Sequence, residues 1–188
     1  DLLNSFGLKS IYNPKWEISN MVRSLLVAAD EIDQPVIVSY SDIVFNSTIV
    51  SKLIQNSNDL AVTYDTEWQS LWEERFEDPL TDAESFQIDT NGVIQEIGKP
   101  VQQIEEIQGQ FMGLLRFTPT AFQWIQEWLS QHWQEVDQMD MTSLLSGLIQ
   151  SGYKVYGSPI SKGWCEVDTE SDLELANRLI LENKIQLQ

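Results

Sequence analysis

The run Pro35-Val36-Ile37-Val38-Ser39-Tyr40 limits the possible folds more than any other segment of the sequence. Its apolar residues are continuous rather than alternating, and several are β-branched, which is typical of a strand covered on both faces. Strands of this kind occur in largely parallel sheets with helices on both sides. We therefore expect this run to form a central strand of an α/β domain.

Helical and strand-like segments alternate on either side of this run. Apolar residues recur at helical spacing in 19–29 and again in 46–55. Asn91-Gly92 lies between two alternating runs, 85–89 and 93–97, which predicts a tight antiparallel hairpin. The expected fold class is α/β, with a mostly parallel, doubly wound sheet and an antiparallel hairpin insertion.

The second half of the chain continues the α/β pattern. Strands are expected at 107–117, 154–156 and 163–167. Thr169, followed three residues later by Asp172, predicts a capping box at the start of the last helix. We find no internal repeat and no linker rich in Pro or Gly, so one domain is expected.

The charge balance restricts the partners and the metal chemistry. With 11 basic against 29 acidic residues the net charge is −18, which disfavours binding to nucleic acid or to an anionic membrane. The single cysteine, Cys165, and the single histidine, His132, exclude an internal disulfide and a Cys/His zinc site. Any metal must therefore have oxygen ligands. No apolar stretch approaches the length of a membrane span, so we expect a cytoplasmic protein.

Two acidic residues follow predicted strands at positions where α/β sheets bind ligands. Asp42 comes directly after the buried run, and Asp168 lies between a short strand and a capped helix. Two convergent carboxylates, completed by water and substrate phosphate, form a site that suits Mg²⁺. The alternative is that each is an ordinary turn or helix-capping aspartate.

The basic and aromatic residues offer few candidates for substrate binding. Lys99 follows a glycine just after the predicted hairpin, where a backbone can approach a ligand closely. Trp16 and Trp164 lie in predicted loops or strand ends, where an aromatic face could bind an ammonium group by cation–π attraction. The alternatives are a solvated lysine and structural tryptophans.

Several phrases of the sequence, in order and spacing, resemble the nucleotidyltransferases that activate sugar phosphates, and most closely their phosphocholine and aminoethylphosphonate cytidylyltransferase branch. The resemblance runs through nearly the whole chain. Its phrases are Asn13-Pro14-Lys15-Trp16, Ser39-Tyr40-Ser41-Asp42-Ile43-Val44-Phe45, Asp65 with Trp68, Trp72 and Arg75, Asp82-Ala83-Glu84-Ser85, Ile97-Gly98-Lys99, Gly109-Gln110-Phe111-Met112-Gly113, Asp140-Met141-Thr142, and Trp164-Cys165-Glu166-Val167-Asp168-Thr169.

This resemblance implies a Mg²⁺-dependent transfer of CMP from CTP to phosphocholine or an aminoalkylphosphonate, with release of pyrophosphate. It implies that Asp42 and Asp168 hold the Mg²⁺ and that Lys99 contacts the phosphate or phosphonate of the acceptor. It also implies that Glu166 supports the metal site or the acceptor. The residues implied to surround a choline or aminoethyl cation are Asp82, Glu84 and Trp164.

The chain departs from the pattern of this family at two places. Ser41 stands where the family usually has a glycine before the aspartate, so the approach of the nucleotide to Ser41 and Asp42 is expected to differ. The family also opens with a strand, a Gly-rich loop bearing Arg and Lys, and a helix, which this sequence lacks. We therefore expect residues 1–188 to form one nucleotidyltransferase-like domain without its N-terminal strand, loop and helix.

Two other functions remain open at this stage. One is a nucleotidyltransferase that activates a sugar phosphate instead of an amine-bearing acceptor. The other is a non-catalytic binding domain with the same fold. The sequence also leaves a homodimer open.

Overall fold

The computed structural model describes residues 5–187. Strands and helices alternate along the chain as the periodicity of the sequence predicts. The strands are β1 (Val36–Ser39), β2 (Ile43–Phe45), β3 (Leu60–Asp65), β4 (Glu84–Ile88), β5 (Ile94–Pro100), β6 (Gln110–Phe117), β7 (Tyr156–Ile160) and β8 (Trp164–Glu166). The α-helices are α1 (Met21–Val27), α2 (Ser47–Gln55), α3 (Trp68–Arg75), α4 (Pro119–Gln131), α5 (Met141–Gln150) and α6 (Glu170–Leu181).

The main sheet has the strand order β1-β6-β3-β7. β6 is antiparallel to both β1 and β3, whereas β3 and β7 are parallel. Consequently β1, β3 and β7 run in the same direction and only β6 is reversed. The carboxyl ends of these three strands therefore lie at one edge of the sheet, where ligands of α/β folds bind.

Helices cover both faces of the main sheet, which makes the fold a doubly wound α/β structure. On β6, Leu115 and Phe117 pack into one core, with α1, α4 and α5, while Met112 and Leu114 pack into the other. This second core contains residues of α2, α3 and α6. The period of two along β6 is what a strand buried on both faces requires.

Two antiparallel pairs flank the main sheet. β2 pairs with β8, with Ile43 opposite Glu166. The predicted hairpin is present as β4 and β5, and its turn contains Gly92 at a φ of 78°, the left-handed conformation that glycine adopts without strain. The amide of Ile94 donates to the carbonyl of Val155, so the hairpin is joined to the chain leading into β7.

Two predictions about strand placement are wrong in detail. β1 was expected to be central, but within the described residues it is hydrogen-bonded only to β6, and its residues are half-buried or exposed. Apolar content alone does not distinguish an edge from a central strand, because the neighbour of a strand is set by the topology. The strand expected at 154–156 instead begins at Tyr156 and continues to Ile160.

Within residues 5–187, the helices are too short or too polar for any of them to cross a membrane.

Candidate active site

The structure brings Asp42 and Asp168 to the same end of the sheet. Asp42 lies in the turn between β1 and β2, and the amide of Val167 donates to its carbonyl oxygen at 2.8 Å. Since Ile43 is opposite Glu166 in the β2–β8 pair, Asp168 follows directly after the residue that faces Asp42. The two aspartates are therefore neighbours across an antiparallel pair, at the rim where the sequence predicts them.

Arg75, the last residue of α3, binds three carboxylates at this rim. Its Nη2 donates to Asp168 at 2.8 Å, its Nη1 to Glu166 at 3.0 Å and its Nε to Asp172 at 3.0 Å. The side chain of Arg75 is only 1% exposed, although that of Asp168 is 52% exposed. The buried guanidinium thus connects α3 to the junction of β8 and α6.

The charges of this cluster shift the pKa values of Arg75, Glu166 and Asp172 in different directions. Burial lowers the pKa of Arg75, but the hydrogen bond and charge of Asp172 and the charge of Glu166 outweigh burial. The net shift of the Arg75 pKa is upward, so the guanidinium stays protonated. Burial and then the charge of Asp168 raise the pKa of Glu166, and Arg75 partly opposes both. For Asp172, burial raises the pKa, but the hydrogen bonds from Arg75 and Thr169 outweigh it, so the net shift is downward.

The donor set at this rim fits a hard divalent cation with an incomplete protein shell. No group of three or more His, Cys, Asp or Glu side chains among residues 5–187 is arranged as a metal cage. Mg²⁺ is usually bound by one or two carboxylates together with water and substrate phosphates. Asp42 is exposed and Asp168 is half exposed, although one oxygen of Asp168 already accepts from Arg75, so both carboxylates lie where such an ion could reach them.

A cavity of about 230 Å³ opens between the hairpin and the start of α5. Its acidic lining is Asp82, Glu84, Asp140 and Glu166, and its aromatic lining is Tyr40, Trp72, Phe86 and Phe111. Glu166 also belongs to the Arg75 cluster, so the cavity adjoins the rim that carries Asp168. An ammonium group would find both carboxylates and aromatic faces in this cavity.

Local contacts hold the walls of this acidic cavity in place. The indole nitrogen of Trp72 donates to Asp82 at 2.9 Å. The side-chain amide of Gln110 donates to the backbone carbonyl of Glu84 at 2.6 Å, which ties β4 to the first residue of β6. The ring of Tyr40 packs on Gly113, where an added Cβ would lie 2.6 Å from the ring.

The environment of the cavity raises the pKa of Glu84 and of Tyr40 above their ordinary values. Burial, followed by the charge of Asp140, raises the pKa of Glu84, while a hydrogen bond from Thr142 opposes the shift. Burial also raises the pKa of Tyr40, and the charges of Asp140 and Glu166 add to it. A cationic ligand would relieve this crowding of negative charge.

Trp164 was expected to surround the cation, but it does not line the acidic cavity. Its side chain is 2% exposed in the second core, and its indole nitrogen donates to Asp65 at 2.9 Å. Trp72, which packs against Trp164 with ring centroids 6.0 Å apart, reaches the cavity instead. Trp16 is 61% exposed and is also outside the cavity lining.

The side chain of Lys99 is placed beside the cavity rather than in its lining. Its ammonium group binds Glu96 three residues earlier on β5, and 53% of the side chain is exposed. Its backbone amide donates to Ser85 at 3.2 Å, and Ser85 does line the cavity. A change of rotamer would be needed for the ammonium group to meet an acceptor.

Ser41 and Asp42 line a second, wider cleft of about 510 Å³ between α1 and β1. Tyr40 separates this cleft from the acidic cavity, because its side chain lines both. Of the described residues that line the cleft, none is basic. Ile37, Val38 and Ser39 of β1 line the same cleft, and among the described strands β1 pairs only with β6.

Sequence reasoning gave no role to several residues of this site. Tyr40, Trp72, Phe111 and Asp140 lie in the phrases that carry the family resemblance, but none of them was assigned to the metal or to the acceptor. Asp140 caps α5, because its side chain accepts from the amide of Ser143. An aspartate just before an apolar helix indicates a cap in the sequence, but it does not indicate a cavity. The cavity assembles these residues from separate elements, so no local pattern could reveal it.

Comparisons with known proteins identify a relative of this chain and structures that share its fold. No protein-family model matches the chain. CTP:phosphoglutamine cytidylyltransferase from Campylobacter jejuni is 34% identical over an alignment of 190 residues, which covers 92% of this chain and 74% of that protein.

Solved structures of low sequence identity share the fold. The inositol-1-phosphate CTP transferase from T. maritima superposes with a TM-score of 0.72 at 15% identity, covering 98% of this chain and 72% of that one. CTP:phosphocholine cytidylyltransferase from Streptococcus pneumoniae gives a TM-score of 0.63 at 13% identity, covering 95% and 72%. A glucose-1-phosphate thymidylyltransferase from Bacillus anthracis gives 0.66 at 16% identity, covering 94% and 67%.

Proposed function

The chain belongs to the nucleotidyltransferases, among the cytidylyltransferases that act on phosphorylated substrates, and on this basis we propose that its acceptor bears a phosphate or phosphonate group at one end and a cationic nitrogen at the other. Phosphocholine and aminoalkylphosphonates are acceptors of this kind. The observation that carries the proposal is the acidic, aromatic cavity beside the Asp42 and Asp168 rim.

The lining of this cavity supports a cationic acceptor over a neutral sugar phosphate. Four carboxylates and four aromatic residues line it, and none of its described lining residues is basic. A carboxylate is a good partner for an ammonium group, and an aromatic face attracts a quaternary ammonium by about 0.5–2 kcal/mol. The acceptor named for the Campylobacter relative, phosphoglutamine, also carries an ammonium group at neutral pH, together with a carboxylate that this lining would repel.

In the proposed reaction an oxygen of the acceptor phosphate or phosphonate attacks the α-phosphorus of CTP in line. A new oxygen–phosphorus bond forms, and the bond from the α-phosphorus to the bridging oxygen of the β-phosphate breaks. Pyrophosphate leaves with the electron pair of that bond. No proton needs to be removed from an ionised acceptor, so the contribution of the protein is orientation and charge neutralisation.

We assign the roles at the rim from the positions of its side chains. Asp42 and Asp168 would hold a Mg²⁺ ion, which when bound neutralises negative charge on the triphosphate. Glu166 would face both the metal rim and the acceptor. Lys99 would reach the acceptor phosphate after leaving Glu96.

We also propose that CTP occupies the cleft beside Ser41 and that residues outside this chain complete it. The cleft has the volume of a small-molecule site, about 510 Å³, but its described lining has no basic group to meet a triphosphate. The free edge of β1 could accept another strand. A strand followed by a loop with Arg or Lys would supply both.

The proposed function can be tested by a product screen based on pyrophosphate release. The nucleotides are CTP, UTP and GTP, and the acceptors are phosphocholine, phosphoethanolamine, 2-aminoethylphosphonate, phosphoglutamine and glucose 1-phosphate. The screen uses the full-length gene product. We expect CTP with an acceptor that carries an ammonium group to release pyrophosphate at least ~10-fold faster than any other pair, which is ~1.4 kcal/mol of discrimination.

A comparison of two variants shows whether the acidic cavity selects the acceptor. Glu84→Gln should raise KM for the cationic acceptor and leave KM for CTP unchanged. The matched control is Glu105→Gln, in the exposed segment between β5 and β6 and outside the cavity lining. Preference for glucose 1-phosphate, or an equal effect of both variants, would contradict the proposed acceptor class.

A further inference from the structure

We propose that Arg75 is a positioning residue for the metal rim, which fixes the relative orientation of Asp168 and Glu166. This inference rests on the proposed function, because it takes Asp168 as a metal ligand. The observation behind it is that three different nitrogens of one guanidinium each bind a different carboxylate.

The geometry of these bonds distinguishes Arg75 from an ordinary ion pair. A guanidinium can bind a single carboxylate through two nitrogens, which stabilises the pair but fixes nothing else. Here Nε, Nη1 and Nη2 are directed to Asp172, Glu166 and Asp168 respectively. Because the guanidinium is rigid and planar, the positions of the three carboxylates become dependent on one another.

The guanidinium also contacts two aromatic rings. Its carbon lies 5.6 Å from the ring centroid of Trp72 and 5.0 Å from that of Phe76. These contacts and the 1% exposure of the side chain leave it little freedom to follow a moving carboxylate. Through Trp72, which binds Asp82, the same helix also fixes one wall of the acidic cavity.

Asp172 extends this control to the backbone of Asp168. One of its oxygens accepts from Arg75, and the other accepts from the backbone amides of Thr169 at 3.0 Å and Asp168 at 3.2 Å. Both the side chain and the backbone of Asp168 are therefore fixed by the Arg75–Asp172 pair. The side chain of Asp168 is 52% exposed, yet these bonds set its orientation, as a metal ligand with one preset orientation requires.

The test compares Arg75→Ala and Arg75→Lys with a matched control on the same pair of helices. Arg178 of α6 binds Glu74 of α3, the neighbour of Arg75, but both of these side chains are exposed and neither contacts Asp168. Arg178→Ala therefore removes a link between α3 and α6 without touching the rim. Direct readouts are the binding of Mn²⁺, followed by the electron paramagnetic resonance of the free ion, and the Tm.

We expect Arg75→Ala to weaken Mn²⁺ binding by at least ~10-fold, the scale seen when a residue that orients a metal ligand is removed. Arg75→Lys should keep the fold and lie between wild type and Arg75→Ala, since lysine offers a point charge without the fork. Arg178→Ala should bind Mn²⁺ as wild type does. Millimolar methylguanidinium should restore Mn²⁺ binding to Arg75→Ala, because the small ion can occupy the vacated place.

Three results would overturn the proposal. Mn²⁺ affinity that is unchanged in both Arg75 variants would mean that Arg75 only stabilises the fold. Tighter binding in Arg75→Ala would mean that the guanidinium competes with the metal. If Arg75→Ala does not fold, Arg75→Lys decides, and wild-type affinity in that variant counts against positioning. Failure of the acceptor proposal would appear separately, in the product screen, without altering Mn²⁺ binding.

Discussion

At the scale of the residue, Asp42 is an exposed carboxylate on a well-held turn. Its backbone carbonyl accepts from Val167, so the main chain of the turn is held independently of its side chain. The side chain is exposed and lies near Glu166 and Tyr40, whose pKa values its charge helps to raise. The carboxylate can therefore be altered without disturbing the fold.

We predict that Asp42→Asn lowers kcat for pyrophosphate release by roughly 100-fold or more, the scale of losing one group that stabilises transition-state charge. An amide keeps the shape of the side chain but not the charge that a hard cation needs. The Tm should change little, because surface substitutions usually alter stability by less than ~0.5 kcal/mol. Asp33→Asn, in an exposed loop, is the control, and activity that survives in Asp42→Asn would remove this residue from the metal site.

Glu84 should make acceptor binding dependent on pH. Its pKa is raised by burial and then by the charge of Asp140, so it takes up a proton as the pH falls through a range above that of an ordinary glutamate. Protonation removes a negative charge that an ammonium group would meet. We predict that KM for a cationic acceptor rises between pH 7 and pH 5, and that Glu84→Gln has a high KM with a flatter pH profile. A rise of the same size in both proteins would assign the effect to another group.

At the scale of the element, the close approach of the Gly147 backbone to a tryptophan side chain explains how α4 and α5 pack. A Cβ on Gly147 of α5 would lie 2.2 Å from the indole of Trp128 on α4. The helices can therefore meet at this point only because the side chain is absent. Glycine lowers helix propensity by ~0.5–1 kcal/mol relative to alanine, and the packing outweighs this cost.

We predict that Gly147→Ala is destabilising, in spite of the better helix propensity of alanine. Overpacking of this kind costs ~1–3 kcal/mol, so a net loss of about 1 kcal/mol in the free energy of unfolding is expected. Denaturation in urea measures it. Ser143→Ala, on the exposed face of the same helix, should stay within ~0.5 kcal/mol of wild type. A gain in stability for Gly147→Ala would show that Trp128 can move aside.

Elements whose ends carry a chemical signal were predictable from the sequence. Thr169 and Asp172 form the expected capping box, and Thr118 caps α4, whose first residue is Pro119. The Asn91-Gly92 turn likewise joins β4 and β5. These signals are local, because the groups that satisfy one another are within four residues along the chain.

At the scale of the whole molecule, two features weaken the binding of a nucleotide triphosphate to this chain. The cleft beside β1 has no basic group in its described lining, and the net charge of the chain is −18. Both disfavour a triphosphate. The free strand edge also exposes backbone groups that another strand could pair.

We predict that residues 1–188 alone bind CTP with a Kd weaker than about 100 µM in the presence of Mg²⁺, corresponding to less than ~5.5 kcal/mol of binding free energy. Isothermal titration calorimetry of the isolated chain measures this. Micromolar affinity in the isolated chain would mean that the described cleft suffices for the nucleotide.

The sequence by itself determined the alternation of strands and helices, the positions of Asp42 and Asp168 at strand ends, and the exclusion of thiol and imidazole metal sites. Each follows from periodicity, from local hydrogen-bonding signals or from the residues that are present. Only the tertiary structure decided that β1 is at an edge, that Trp72 rather than Trp164 faces the acidic cavity, and that Arg75 connects three carboxylates. These depend on contacts between residues that are distant in the chain, such as the 91 to 97 positions that separate Arg75 from its three partners.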